Sequence, residues 1–311
     1  MSTTEAAPTV THPTKVANYG DYGPQGRSDW LDVDWRRHLR STHVDGAKVN
    51  YVEMGEGPPL VFVHGLSGCW QNWLENIPHF ARNHRVIALD LVGFGESEMP
   101  EWALSIEGYG RFVDAFLSEV GIECATVVGN SMGGFIAAET AISHPTRVEK
   151  LVLVNAAGGP TLREWNSRHE AGLLRAARMF GLLAAAAFAR REHIVRRPRM
   201  RRMLLYKVAA HPDLLRPELC YELASGAGKP GFLDALAAVF AYDYWERIPR
   251  IACPTLIVWG SDDQVIPVQD AHEYAALIPG ASVEIFDDTG HVPMVERPAR
   301  FNRVLEGFLA V

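Results

Sequence analysis

Hydrophobic and polar positions follow two different periods along the chain from about residue 40 onward. STHVDG and KVNYVEMG alternate polar and apolar residues on either side of Gly46, which predicts an antiparallel hairpin at a sheet edge. Later runs are continuously apolar, which is typical of strands buried on both faces. The first four of these runs are PPLVFVHG, HRVIALDL, ATVVG and VEKLVLVN.

Segments with helical spacing lie between these strands. Apolar residues recur every three or four positions from Ser105 to Val120, and a second helix is predicted from Met132 to Ser143, stopped by Pro145. Buried strands that alternate with amphipathic helices predict right-handed crossovers. The fold class is therefore α/β, with a mostly parallel, doubly wound sheet.

The alternation stops after the fourth parallel strand and resumes about ninety residues later. Residues 158–247 show helical patterns only, which predicts a helical lid inserted between two parts of one core, residues 31–157 and 248–311. The second part contains strands CPTLIVWG and SVEIFDD, a helix from Gln269 to Leu277 and a last helix near Pro298 to Leu309. Residues 1–30 are polar and rich in Pro, Thr and Gly, which predicts a disordered N-terminal tail.

Composition excludes some classes of protein. With 311 residues, 48% of them hydrophobic and 22% charged, the chain is typical of a globular protein, and its net charge of −7 argues against nucleic-acid binding. The N-terminus lacks the apolar core of a signal peptide, so a cytoplasmic location is predicted. The longest apolar stretch, residues 171–189, is interrupted by Arg175 and Arg178 and falls short of the roughly 20 residues of a spanning helix.

One serine has an unusual setting between a predicted strand and a predicted helix. Gly129-Asn130-Ser131-Met132-Gly133 matches the pattern G-x-S-x-G. Glycines at both flanks permit a tight turn, and the turn lifts the serine hydroxyl above the carboxyl ends of the strands. Ser131 is therefore a candidate nucleophile, and the alternative is a helix-capping serine with incidental glycines.

A serine nucleophile requires a base and an acid that orients the base. His291 lies in DDTGHVPMVERP, directly after an apolar strand, and Asp262 and Asp263 follow the strand TLIVWG. All these loops lie at the same end of the predicted sheet. The chain order Ser131, Asp263, His291 matches the Ser…Asp…His order of α/β sheets that carry a serine nucleophile on a strand-to-helix turn.

Five motifs in order, HGLSG, DLVGFGES, GNSMGG, WGSDDQVIP and GHVPMVERP, resemble those of α/β-hydrolases across residues 40–311. The resemblance implies the α/β-hydrolase fold and a Ser-His-Asp triad. The family pattern G-x-x-D-x-x-x-P selects Asp263 as the acid and leaves Asp262 as the alternative. Asp287 and Asp288 are interpreted as residues that shape the turn before the histidine.

The resemblance also implies a site for the oxyanion, formed by the backbone N–H groups of Leu66 and Met132. His64 is interpreted as a residue that holds the oxyanion loop, and Ser67 as a residue that shapes it. The glycines of Gly93–Ser97 lack the spacing of a dinucleotide-binding loop and are interpreted as a turn. With neither HExxH nor a tight His/Asp/Glu cluster, no metal and no cofactor are predicted.

Two features of the predicted lid concern its environment. Apolar residues between Leu173 and Phe188 either pack within the lid or favour a lipophilic substrate. From Arg190 to Lys207 there are eight basic residues and one acid, a local charge of +7, so the rest of the chain carries −14. We favour a solvated lid face paired with the acidic core surface; the alternatives are a membrane-surface contact and an arginine that holds a substrate carboxylate.

The motifs favour a serine hydrolase that cleaves carboxylic esters of small to medium lipophilic substrates. A serine at the turn argues against haloalkane dehalogenases and epoxide hydrolases, which carry aspartate there. GNSMGG also resembles carbon–carbon bond hydrolases of vinylogous diketone acids, but these usually carry tryptophan after the catalytic histidine, where this chain has Val292. A cofactor-free perhydrolase and a non-catalytic receptor on the same fold remain alternatives.

Overall fold

The computed structural model describes residues 20–161 and 191–311. At its centre is an eight-stranded sheet in the order β1-β2-β4-β3-β5-β6-β7-β8. β2 pairs antiparallel with both neighbours, and β3 to β8 pair in parallel. The strands are β1 Leu39–Val44, β2 Ala47–Met54, β3 Pro59–Val63, β4 Arg85–Leu89, β5 Ala125–Asn130, β6 Val148–Val154, β7 Thr255–Gly260 and β8 Ser282–Phe286.

β1 and β2 form the predicted hairpin at one edge of the sheet. Val44 pairs with Ala47, and the two residues between them, Asp45 and Gly46, have positive φ angles of 47° and 83°. Positive φ at both turn positions is characteristic of the tight turn whose twist matches the flanking strands. The glycine in the sequence therefore lies where the hairpin requires it.

Helices and short 3₁₀ helices connect the strands. The α-helices are α1 Ile77–Phe80, α2 Ile106–Glu119, α3 Met132–Ser143, α4 Arg191–Val195, α5 Pro198–Leu205, α6 Pro217–Leu223, α7 Phe232–Ala241, α8 Gln269–Leu277, α9 Pro293–Glu296 and α10 Pro298–Leu309. The 3₁₀ helices are Asp29–Asp32, Trp35–Arg37, Trp70–Trp73, Pro145–Arg147, Ala224–Gly226 and Trp245–Arg250.

The sheet is covered on both faces, as the continuous apolar strands predict. Successive residues of β3 enter different cores: Val61 and Val63 pack in the cluster with α2 and α3, and Leu60 and Phe62 pack in the cluster with α10. Phe62 stacks on Trp73 with ring centroids 4.6 Å apart. The predicted doubly wound α/β architecture is confirmed.

The described helices α4 to α7 lie between β6 and β7, after the fourth parallel strand, where the sequence predicts an insertion. We use "insertion" below for residues 158–247. Arg201 is buried and donates hydrogen bonds to the backbone carbonyls of Val195, Pro212 and Asp213, so it ties α5 to the turns around it. The apolar residues between Leu173 and Phe188 lie outside the described residues.

Within the two described ranges, no helix has both the length and the apolar character required to cross a bilayer.

The prediction of a disordered tail over residues 1–30 is wrong for residues 20–30. Tyr22 and Trp30 are buried, and Trp30 Nε1 and Ser28 Oγ donate to the Glu75 carboxylate at 2.9 and 2.8 Å. The polar composition of this segment hides two large aromatic side chains, whose burial holds the chain against the core. Residues 1–19 lie outside the described residues.

Candidate active site

Ser131 lies at a strained turn between β5 and α3. Its φ of 56° and ψ of −121° are costly for a residue with a side chain. A Cβ at Gly129 would lie 2.2 Å from the Gly133 carbonyl oxygen, and one at Gly133 would lie 2.3 Å from that of Val63. The two flanking glycines are therefore required by backbone packing. Ser131 itself is partly exposed above buried neighbours.

Asp263 and His291 meet at the carboxyl end of the sheet. His291 Nδ1–H donates to Asp263 Oδ2 at 2.7 Å, and both residues are buried. The other oxygen, Asp263 Oδ1, accepts the backbone N–H groups of Val265 and Ile266 at 2.7 and 3.0 Å. The carboxylate that contacts the imidazole is that of Asp263, and not that of Asp262. With Nδ1 bound to the acid, Nε2 is the ring nitrogen left to accept a proton.

Asn155 is a member of this site that the sequence reasoning did not single out. It follows β6 directly, and its Nδ2 donates to Asp263 Oδ2 at 2.6 Å and to the Gly290 carbonyl at 3.4 Å. Both partners are acceptors, so the amide nitrogen must face them. The available signal was a polar residue at the carboxyl end of the strand beside the one that carries the acid.

Asn130 has a similar role on the serine side. Its Nδ2 donates to the carbonyl oxygens of Val154 and His291, each at 3.1 Å. The residue that precedes Ser131 thus holds the backbone of the loop that carries His291, residues 287–292, which we call the histidine loop. The sequence motif contained Asn130, but its partner lies 161 positions away and no local pattern indicates it.

Two backbone segments flank Ser131 where an oxyanion site is expected. Met132 is the first residue of α3, whose N-terminal N–H groups have no partners within the helix. On the other side, a Cβ at Gly65 would lie 2.8 Å from Ser131 Cβ, so the loop that carries Leu66 passes directly beside the serine. Both predicted donors are therefore on segments next to the candidate nucleophile.

His64 holds this loop, as predicted. The ring is fully buried: Nε2 accepts the backbone N–H of Leu91 at 3.0 Å, and Nδ1 donates to the Gly65 carbonyl at 2.7 Å. Burial lowers the pKa of His64 to about 4, so the imidazole is neutral at pH 7. Ser67 and Asp288 have positive φ angles of 60° and 53°, as expected for residues that shape turns.

The Gly93–Ser97 segment forms a turn around a buried carboxylate, as predicted. Asp90 accepts hydrogen bonds from the backbone N–H groups of Trp70 and Glu96 at 2.8 and 2.9 Å. A Cβ at Gly95 would lie 2.0 Å from Asp90 Cγ. The glycine thus makes room for a structural carboxylate and forms no phosphate-binding loop.

Glu296 fastens the histidine loop to two other parts of the molecule. Its buried carboxylate accepts hydrogen bonds from the backbone N–H groups of Gly290 and Val292, which flank the imidazole residue, at 2.9 and 3.2 Å. It also accepts from Ala210 N in the insertion and from the Tyr22 hydroxyl, each at 2.8 Å. Burial raises the pKa of Glu296, and these donors oppose that rise.

The insertion contacts the histidine loop directly, because the backbone N–H of His291 donates to the Val208 carbonyl at 2.8 Å. Arg201 is the buried arginine of the segment from 192 to 207, and its guanidinium donates its hydrogen bonds to backbone carbonyls. It therefore does not fit the alternative of an arginine that holds a substrate carboxylate. In the part of the chain that the structure describes, no cluster of His, Cys, Asp and Glu could hold a metal ion.

A family model described as the alpha/beta hydrolase fold matches residues 58–298. The chain belongs to the α/β hydrolase-fold family. The matched region contains all the site residues described above, and hydrolase activity is the activity that this family supports.

Individual relatives of this α/β hydrolase have differing activities. It is 34% identical to the dihydrolipoyllysine-residue acetyltransferase component of the acetoin cleaving system of Cupriavidus necator, over 86% of this chain and 67% of the relative. It is 33% identical to 2-hydroxymuconate semialdehyde hydrolase of Pseudomonas sp., over 85% of this chain and 91% of the relative. The crystal structure of a bacterial membrane phospholipase A matches with a TM-score of 0.68 and 28% identity, over 88% of this chain and 85% of that chain. These three activities differ, so the similarities decide the family and leave the substrate open.

Proposed function

We propose that this α/β hydrolase cleaves carboxylic esters through an acyl-enzyme on Ser131. The observation that carries the proposal is the hydrogen bond from His291 Nδ1 to Asp263 Oδ2 at 2.7 Å, on a loop that Asn130 ties to the strained serine turn. This arrangement orients Nε2 of the imidazole as a base, which is the element that a serine hydroxyl needs to become a nucleophile.

The proposed reaction has two halves. Ser131 Oγ attacks the acyl carbon while His291 Nε2 takes its proton, and Asp263 stabilises the imidazolium that forms. The alcohol then leaves with the proton from His291. Water, activated by the same imidazole, attacks the acyl-enzyme and releases the acid.

The oxyanion of each tetrahedral intermediate is assigned to the backbone N–H groups of Leu66 and Met132. The N-terminus of α3 supports this assignment, because its free N–H groups and helix dipole favour negative charge. The insertion is proposed to act as a lid over this site, since Val208 contacts the histidine loop through its carbonyl.

Carbon–carbon bond hydrolysis of vinylogous diketone acids is the second candidate. The 33% identity to 2-hydroxymuconate semialdehyde hydrolase favours it, whereas the match to a phospholipase A favours esters. Val292 after the histidine, in place of tryptophan, also favours esters. The same three side chains serve both reactions, so substrate turnover must decide between them.

Ser131→Ala tests the nucleophile. Hydrolysis of short p-nitrophenyl esters should lose about 10⁴-fold or more in kcat, because the hydroxyl that forms the acyl-enzyme is absent. The midpoint of thermal unfolding should be unchanged, which would show that the fold is intact. Activity equal to that of the original chain would overturn the assignment.

A substrate panel separates the candidates. We expect kcat/KM for p-nitrophenyl esters of increasing acyl length to exceed that for a vinylogous 1,5-diketone acid from ring cleavage. The reverse order would assign the carbon–carbon hydrolase. Transfer of the acyl group of an ester to hydrogen peroxide, which gives a peracid and the alcohol, would assign a perhydrolase, and binding without multiple turnover would assign a receptor.

A further inference from the structure

Cationic and apolar side chains are exposed together around α5. Three of the large apolar side chains are strongly exposed within four positions: Met203 at 64%, Leu204 at 43% and Tyr206 at 51%. We use "α5 surface" for these residues together with the exposed basic residues beside them. The basic residues are Arg196, Arg197, Arg199, Arg202 and Lys207.

The orientation of α5 is fixed from its inner side. Arg201 is held by three backbone carbonyls, and Leu205, one turn later, is partly buried in the core cluster that includes Val195. Positions 199 and 203 lie one turn apart on the opposite side of the helix. Rotation of the helix to bury Met203 would break the contacts of the Arg201 guanidinium, so this side stays exposed.

The cations of the α5 surface face solvent. The sequence favoured a solvated lid face paired with the acidic core surface; among the described residues the solvated face is present, and no ion pair joins these cations to the core. Within residues 192–207 the ion pair is Arg196 with Glu192, at 2.9 Å and largely exposed on both sides. Lys207 Nζ lies 5.9 Å from the ring centroid of Tyr206, which keeps both side chains at the surface.

We propose that the α5 surface docks on the anionic face of a phospholipid bilayer. Arginine and lysine attract acidic headgroups, and Met203, Leu204 and Tyr206 can enter the boundary between headgroups and acyl chains. A nucleic acid fits less well, because it offers no apolar layer for the exposed methionine and leucine, and because the chain carries −7 overall. The positive charge is local, and a local charge is sufficient, because the potential of an anionic membrane is screened within about one Debye length of its surface.

The α5 surface is linked to the candidate site through Val208, which follows α5 and contacts the histidine loop. Met203 precedes Val208 by five residues, which span at most about 18 Å, and the Val208 carbonyl accepts the backbone N–H of His291. Docking would therefore hold the bilayer beside the insertion. If the proposed function holds, esters dissolved in the membrane are the substrate class that this position favours.

Vesicle binding of the full chain tests the proposal. The protein should co-sediment with phosphatidylcholine vesicles that contain about 30% phosphatidylglycerol, and this binding should fall about tenfold or more without the anionic lipid or in 0.5 M salt. The double variant Arg199→Glu/Arg202→Glu should lower the partition coefficient by about tenfold or more. Arg111→Glu/Arg303→Glu makes the same charge change at exposed positions of α2 and α10 and should stay within about twofold.

The apolar contribution has its own variant. Met203→Ser/Leu204→Ser should lower partitioning by about tenfold or more while leaving the thermal midpoint unchanged, since both side chains are exposed. Ser131→Ala should bind vesicles like the original chain, so failure of the proposed chemistry and failure of docking are distinguishable. Docking is overturned if the original chain does not bind anionic vesicles, if the Arg111/Arg303 variant loses as much, or if duplex DNA binds more tightly at equal salt.

Discussion

Asp263 receives hydrogen bonds from four groups on three separate segments of the chain. Val265 and Ile266 donate to one oxygen, and Asn155 and His291 donate to the other. The carboxylate cannot rotate without losing at least two of these bonds. A proposed base is thereby oriented by a carboxylate that is itself held in place.

Asn155→Ala should lower kcat for ester hydrolysis by about tenfold with little change in KM, because one bond to the Asp263 carboxylate is lost. The thermal midpoint reports any loss of stability separately. Asn83→Ala removes an exposed amide that makes no side-chain hydrogen bond among the described residues, and should leave kcat unchanged. Equal kcat values in all three proteins would show that Asn155 does not position the acid.

His64 should make stability depend on pH. Burial lowers its pKa in the folded chain from the ordinary 6.5 to about 4, so the unfolded chain binds a proton first as the pH falls. The contribution of the neutral, buried His64 ring to the free energy of unfolding is complete above pH 6.5 and is lost progressively toward pH 4. Between pH 7 and pH 5 the free energy of unfolding should fall by about 2 kcal/mol more in the original chain than in His64→Gln. Equal falls, measured by urea unfolding, would contradict the neutral buried ring.

Motif spacing predicted the contact of Asp263 with His291, but not what holds these two residues in place. Ser131, Asp263 and His291 each lie in a local pattern that the architecture explains. The contact of Asn155 with Asp263 spans 108 positions and depends on a backbone φ of 45° at the end of β6. Neither the long separation nor the unusual backbone angle leaves a periodic signal in the sequence.

Regular elements were the most predictable part of the fold. The helices Met132–Ser143, Gln269–Leu277 and Pro298–Leu309 begin and end where the pattern indicated. From Trp70 to Phe80 the apolar residues have helical spacing, yet the segment divides into a 3₁₀ helix, Trp70–Trp73, and α1. Between them the buried Asn76 side chain donates to Asn302 Oδ1 at 2.8 Å, a tertiary contact that periodicity cannot reveal.

Two glycines in helices should respond oppositely to alanine. Gly133→Ala, in α3, places a Cβ 2.3 Å from the Val63 carbonyl oxygen, and we expect a loss of about 3 kcal/mol or more in unfolding free energy. Gly307→Ala, in α10, meets nothing within 4 Å and should gain about 0.5–1 kcal/mol. Urea unfolding of both variants checks the pair, and a stable Gly133→Ala would refute the tight approach of α3 to β3.

At the scale of the whole molecule, the N-terminal segment joins the insertion to the region around the histidine loop. Tyr22 donates to Glu296, its hydroxyl accepts the backbone N–H of His211 at 3.0 Å, and Arg297 pairs with Asp21. The start of the described chain, the insertion and the histidine loop thus meet at one place. Composition predicted a tail here, because two aromatic anchors are too few to change the average polarity of the segment.

Tyr22→Phe should lower the free energy of unfolding by about 1–3 kcal/mol, since the buried Glu296 carboxylate loses a donor and the partly buried N–H of His211 loses this acceptor. Hydrogen exchange at residues 208–211 should accelerate, because that segment loses its tie to the N-terminus. Tyr206→Phe removes an exposed hydroxyl and serves as the control. No change in either measurement would mean that the N-terminal segment does not hold the insertion.

The insertion leaves the sheet after β6 and returns at β7, and these two strands pair directly, Leu151 with Thr255 and Val154 with Val258. Both junctions therefore lie between neighbouring strands of a sheet whose registry does not depend on what joins them. A segment exchanged between these junctions would leave both strands whole. It would have to supply the carbonyl that accepts the His291 N–H and the N–H that donates to Glu296, as Val208 and Ala210 do here.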